Sequence, residues 1–127
     1  MVKNEEDLGK ALKNGDRTIE IEGDLAKKVV KIKATGDVAW GVCIAATAVC
    51  VIAVLTTVSS GGAAGPAALA AVTATAGPAV AIWGVSVTVS AVLIAVAGGG
   101  VTVLNKLKSY DMKKISDKKV ILKRKSK

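Results

Sequence analysis

The side chains that do most protein chemistry are scarce in this sequence, and those present are poorly spaced for catalysis. His is absent, which removes imidazole as base, ligand or pH switch, and with it any Ser/His/Asp or Cys/His arrangement within the chain. Cys43 and Cys50 are the only thiols. No acid lies near them, so a zinc site would lack ligands, and both read as small packing residues. The carboxylates fall in two groups, eight from Glu5 to Asp37 and then only Asp111 and Asp117. They offer no paired acid and base and no activated nucleophile. The glycine-rich stretch GGAAGPA, residues 61–67, lacks the GK[ST] ending of a phosphate loop. An enzyme is not expected, and neither is a metal or a cofactor.

What remains is hydroxyls and positive charge. Ser86, Thr88 and Ser90 place a line of hydroxyls in an otherwise apolar run, the material of a pore lining. Lys27, Lys28 and Lys31 precede the apolar part of the chain, and Lys106, Lys108, Lys123, Arg124 and Lys125 follow it. Flanking cations of this kind suit anionic lipid headgroups or a protein partner. Nucleic acid is not an expected partner: phosphate attraction needs only charge, but stacking needs aromatic platforms, and Tyr110 is the only ring in the basic tail.

The elements that must position these groups follow from how charge is distributed. All 18 Lys and Arg and all 10 Asp and Glu lie at or before Asp37 or at or after Lys106, so Val38 to Asn105 carries no charge. A soluble fold of this size needs charged surface on most of its elements; a bilayer asks for the opposite. The apolar content is Ala, Val, Ile and Leu with 13 Gly, no Phe, one Tyr and two Trp. The expected fold class is therefore an α-helical membrane protein: a two-span transmembrane hairpin plus a small α+β cytoplasmic domain built from both termini.

The expected boundaries are 1–37 for an N-terminal cytoplasmic helix-strand-helix, 38–105 for the transmembrane region and 106–127 for a basic C-terminal β-hairpin. Asn4 caps a helix with Glu5, Glu6 and Asp7 in its first turn. TIEIE, residues 18–22, alternates as a half-buried strand, and LAKKVVKIK, residues 25–33, is a basic amphipathic helix with Leu25, Val29 and Ile32 on one face. The tail predicts strands Tyr110 to Ile115 and Lys119 to Lys125 around a turn at Ser116-Asp117-Lys118. TIEIE is the expected third strand, with Glu20 and Glu22 facing Lys123 or Lys113.

Within the apolar block, spans are expected over 38–58 and 79–104, with 59–78 as a middle segment. Pro66 to Ala76, between two AGPA repeats, makes about 16 Å of helix, too short to cross, so it is re-entrant or interfacial. Trp40 belongs at the headgroup level, and Trp83 and the pair Lys106 and Lys108 anchor opposite ends of the second span. Ala39, Cys43, Ala46, Cys50 and Ala53 form a stripe of small residues that, with Gly98, Gly99 and Gly100, suits close helix packing in a homo-oligomer. Eight basic residues precede the block and ten follow it. Two spans therefore leave both termini cytoplasmic, and with no signal peptide ahead of the block the expected address is a bacterial inner membrane.

The layout of an Ala/Gly-rich hairpin between charged segments is similar, in composition alone, to the hydrophobic hairpin of pore-forming bacteriocins. With the small-residue packing and the line of hydroxyls, the leading expectation is a homo-oligomer that forms a pore, conducting ions or permeabilising the membrane as an effector or toxin-like protein, controlled by its cytoplasmic α+β domain. The competing expectation is a passive anchor or scaffold, because the spans hold no ionisable or amide group at a pathway.

Overall fold

The computed structural model describes residues 2, 4–59, 61, 64–75 and 77–124. Helix α1, Glu5–Asn14, starts where the Asn4 side chain accepts a hydrogen bond from the Asp7 N–H (2.8 Å) and three acids follow. It ends at Gly15, whose φ of 73° is the left-handed C-cap that Gly adopts without a Cβ penalty. Strand β1, Thr18–Glu22, buries Ile19 and Ile21. Helix α2, Asp24–Lys33, buries Leu25, Ala26, Val29 and Ile32.

The charge-free block forms four helices and reaches into a fifth. Helix α3 runs over Asp37–Ser59, α4 over Ala64–Thr75, α5 over Gly77–Trp83 and α6 over Val85–Ala97, and α7, Thr102–Ser109, returns to charged sequence. The chain closes with β2, Asp111–Ser116, and β3, Lys119–Lys123, in a sheet of order β1-β3-β2. Both pairings are antiparallel, with a register irregularity between Lys114 and Ser116. The two termini thus share one sheet. Glu22 lies opposite Lys119, 3.7 Å from its ammonium, whereas Glu20 and Lys113 both face Ile121, so the expected pairing of the glutamates with Lys123 or Lys113 does not form.

The run expected as one span over 79–104 is instead three helices. At Gly84 (φ 85°) the axes of α5 and α6 bend by 114°. A turn through Gly98, Gly99 and Gly100 then separates α6 from α7, with Gly99 at φ 88°. Positive φ is cheap only for Gly, so these residues are breaks in the chain and not a packing seam along a helix. The middle segment also differs from the expectation. Helices α4 and α5 both pack along α3, and Trp83 at the end of α5 lies 6.1 Å from Trp40 at the start of α3. The return leg beside α3 is therefore 64–83.

Why α6 leaves that leg is a matter of cover. Helices α1, α2 and α7 are amphipathic, and each must bury its apolar stripe. Helix α6, apolar on every side, packs against all three and also against α3 and α4, burying Val87, Ala91, Val92, Ile94 and Ala95. Leu8, Leu12, Ile21, Val29, Ile32, Leu104, Leu107, Val120 and Leu122 complete the core of this lobe. The approach of α1 to α6 is backbone-close: a Cβ at Gly9 would sit 2.7 Å from the Ala97 Cβ and closer still to the Ile94 carbonyl oxygen. The Ser90 hydroxyl donates to the Glu5 carboxylate (3.1 Å) across the same seam.

Replacing Gly9 with Val is expected to cost about 1–3 kcal/mol through overpacking, read from unfolding curves in neutral detergent. Gly36→Ala, at an open position, should be near neutral. Equal effects would show that the seam is slack.

Tyr110 is buried and its hydroxyl donates to the Asp16 carbonyl (2.5 Å). Burial pushes its phenol above the ordinary value of 10.0, partly opposed by Arg124. The fold thus favours the neutral phenol, and that contribution is present below the ordinary value and lost as pH rises through the raised one. Tyr110→Phe should therefore be less stable than wild type by about 1 kcal/mol at pH near 8. The gap should shrink on alkaline titration, and a gap constant with pH would contradict the burial of this hydroxyl.

Candidate membrane-facing surface

Helix α3 is apolar around its whole circumference, so no one face is marked for the core. Its 23 residues make about 34 Å of helix, comparable with a hydrocarbon core. Only part of it is covered by α4, α5 and α6. Val38 (87% exposed), Ile52 (67%), Val49 (54%) and Val42 stand out from α3, and Leu69 on α4 and Ile82 on α5 are also exposed. Val38, Val42, Val49 and Ile52 recur on one face of α3 by helical spacing, and an exposed apolar face of this kind marks a surface that meets lipid or protein. Among the described residues, Asp37–Val58 is long and apolar enough to cross a membrane, and the bent pair α5 and α6 would make a second such segment if it counted as one span.

At the foot of this hairpin the two tryptophans meet edge to face, with ring planes at 65°. The Trp40 indole N–H donates to Asn105 Oδ1 (3.1 Å), and the Trp83 indole N–H to Thr35 Oγ1 (2.7 Å). Both rings are buried, and their polar ends are satisfied by the turn before α3 and by helix α7. The Lys108 ammonium lies 4.8 Å from the Trp40 ring centroid, donates to the Thr35 carbonyl (2.8 Å) and reaches Asp37 at 3.8 Å. In return, Lys33 Nζ donates to the Lys108 carbonyl (2.7 Å) and to that of Tyr110 at the end of α7, where cations suit the helix dipole. Two lysines therefore clasp α2 to α7 around an aromatic collar. The sequence places Trp83 and Lys108 at opposite ends of a span, but the fold brings them to the same end.

The small-residue stripe faces inward. Cys43 and Cys50 are fully buried, Ala39 and Ala46 half-buried, and only Ala53 is exposed. Cys50 Sγ sits 3.4 Å from Thr75 Oγ1 on α4, so the stripe packs within the chain. Of the three glycines assigned to it, Gly98 abuts the Val103 side chain, and Gly99 and Gly100 form the turn described above.

The hydroxyls do not share a path. Ser86 is exposed, Thr88 is buried and donates to the Gly84 carbonyl (2.7 Å), and Ser90 is bound to Glu5 in the lobe. Among the described residues, Thr47 Oγ1 is the one buried side-chain polar atom without a hydrogen-bond partner. No group of three or more His, Cys, Asp or Glu among those residues could hold a metal ion.

The basic residues lie on the lobe. Lys27 and Lys31 on α2 and Lys106 on α7 are exposed, and Lys28 is half-buried. Lys123 is exposed opposite Thr18 and Asp111. Arg124 donates to the Gly15 carbonyl (2.9 Å) and so caps α1 a second time. Lys125 lies outside the described residues.

A family model described as Uncharacterised protein PM1101 matches residues 1–127. The chain belongs to that family. No match is found among curated proteins or among solved structures.

Sequence reasoning missed the collar because it forms between residues far apart in the chain. The only signal was that Trp40 lies at the start of the charge-free block and Trp83 directly before a glycine inside it. Because Trp83 is 1% exposed, removing its acceptor with Thr35→Val should cost about 1–3 kcal/mol. Unfolding followed by tryptophan emission checks this, and an unchanged midpoint would rule out the hydrogen bond as a support of the collar.

Proposed function

We propose that the hairpin of α3, α4 and α5 embeds in an anionic bilayer as far as the Trp40–Trp83 collar, and that the protein is a membrane-anchored module displaying its basic lobe at the headgroup surface. The observation that carries this reading is the exposed aliphatic face of α3 together with the contact of Trp40, Trp83 and Lys108 at the start of that helix. Indole rings and long cationic side chains favour that level, where an apolar body and a polar tip both find their medium. The formal net charge of +8 belongs wholly to the segments outside the charge-free block. Near an anionic leaflet each lysine is worth about 1 kcal/mol. By the positive-inside rule the lobe lies on the cytoplasmic side.

Anchoring is favoured over conduction by the use made of the hydroxyls. Thr88 and Ser90 spend theirs inside the lobe, and the exposed face of α3 presents aliphatic groups. In this reading neighbouring copies would meet through that outer face and not through the Cys43 and Cys50 stripe.

Flotation of the full chain with vesicles tests the proposal. Vesicles of phosphatidylglycerol and phosphatidylcholine should carry the protein to the top of the gradient, and brominated acyl chains should quench tryptophan emission most when the bromines sit near the headgroups. Raised salt should weaken the first encounter but not strip protein already embedded. Release of entrapped dye at low protein-to-lipid ratio would instead favour a permeabilising oligomer. Failure to float with any vesicle would end the bilayer reading.

A further inference from the structure

The two edges of the sheet are finished differently. Outside β1 the backbone of Val2 closes the edge, its N–H donating to the Glu20 carbonyl (2.8 Å) and its carbonyl accepting from the Glu22 N–H (2.9 Å). Outside β2 no strand pairs among the described residues. Helix α2 packs against β1 and β3. Between it and β2 lies an open cleft of about 270 Å³, lined by Lys27 and Val30 of α2, Lys114 of β2 and Asp117 of the turn. Met112 and Lys114 share one face of β2 by the alternation of a strand. Met112 is half-buried against the core and Lys114 reaches the cleft, where it pairs with Asp117 at 3.6 Å. Lys27 adds a second cation to the cleft and Lys113 a third on the opposite face of the same strand, against Asp117 in the cleft and Asp111 at the start of β2, so this edge keeps a net positive charge.

We propose that β2 is a docking edge for an extended acidic segment of a partner protein. The segment adds as a fourth strand, with alternate side chains entering the cleft of Lys27, Val30 and Lys114. Main-chain hydrogen bonds to an exposed edge supply affinity in this mode of recognition, and pockets at every second residue supply selectivity. Carboxylates meet Lys27 and Lys114, and an aliphatic neighbour meets Val30. A second copy of this chain is a poor occupant, because pairing β2 with itself sets Lys113 and Lys114 against like charges. The irregularity between Lys114 and Ser116 also limits the regular edge to the strand's first residues. The site lies on the lobe and does not depend on whether the hairpin is embedded.

The test uses the full chain in neutral detergent and a fluorescein-labelled peptide of alternating valine and glutamate, read by anisotropy. Binding is expected, with a loss of at least about tenfold on Lys27→Glu or Lys114→Glu and no comparable binding of a valine and lysine peptide. Methylating the amide nitrogens on one edge of the peptide should abolish binding, while methylating the other edge should leave it intact, since only one edge faces β2. Indifference to both methylations overturns strand addition. So does absence of peptide binding, including the case in which Lys27→Glu weakens capture by anionic vesicles, which would make the cleft a lipid contact.

Discussion

Everything in the lobe depends on one close approach, that of α1 to α6 at Gly9. Three amphipathic helices and one face of a sheet have apolar surface to hide, and no side of α6 needs water. Sliding α6 into their midst solves both problems, provided the backbones can come close enough for Ser90 to reach Glu5. Gly9 permits this, and the chain must break at Gly84 to deliver α6 there. The bend is thus the price of a core that the terminal segments cannot complete from their own residues.

The same break decides what the hairpin contains. Helix α6 serves both parts, packing on the lobe and also on α3 and α4, while α4 and α5 run along α3 and end at Trp83 beside Trp40. The collar then has a double duty. It holds two indoles with their N–H groups satisfied, and it ties the turn before α3 to helix α7 through Thr35 and Asn105. Lys33 and Lys108 act in opposite directions across the same junction, each supplying donors to the other's chain segment. A hairpin made almost wholly of small and aliphatic side chains gains a defined exit angle from this polar base.

Much of the lobe was legible in the sequence, because its signals are local. The Asn4 cap, the acids after it, the alternation of TIEIE and the Leu25, Val29 and Ile32 face each need only a few neighbouring residues to be read. The hairpin was legible for a related reason, since Asp117 and Lys118 make a turn between two short strands. The fate of 79–104 was not. Hydropathy cannot separate a helix wrapped by amphipathic neighbours from one wrapped by lipid, because both are apolar all round. Glycine in such a run reads equally as a packing site or a break, and only the backbone angles at Gly84 and Gly99 decide between them. The inward turn of Cys43 and Cys50 was hidden likewise, since a small-residue stripe names a close neighbour without saying whose chain it belongs to.

The hairpin is spliced into the lobe as an excursion: the chain leaves at Thr35 and comes back at Trp83, beside its point of departure. Because α6, α7, β2 and β3 all lie beyond it, α1, β1 and α2 emerge from the ribosome with their apolar faces bare. At roughly 5–20 residues per second of synthesis, the wait from residue 83 to residue 124 is on the order of 2–8 s. During that interval the greasy excursion is complete and the lobe is not, so the order of manufacture gives the hairpin its chance to find a home before the domain that will hold it has closed.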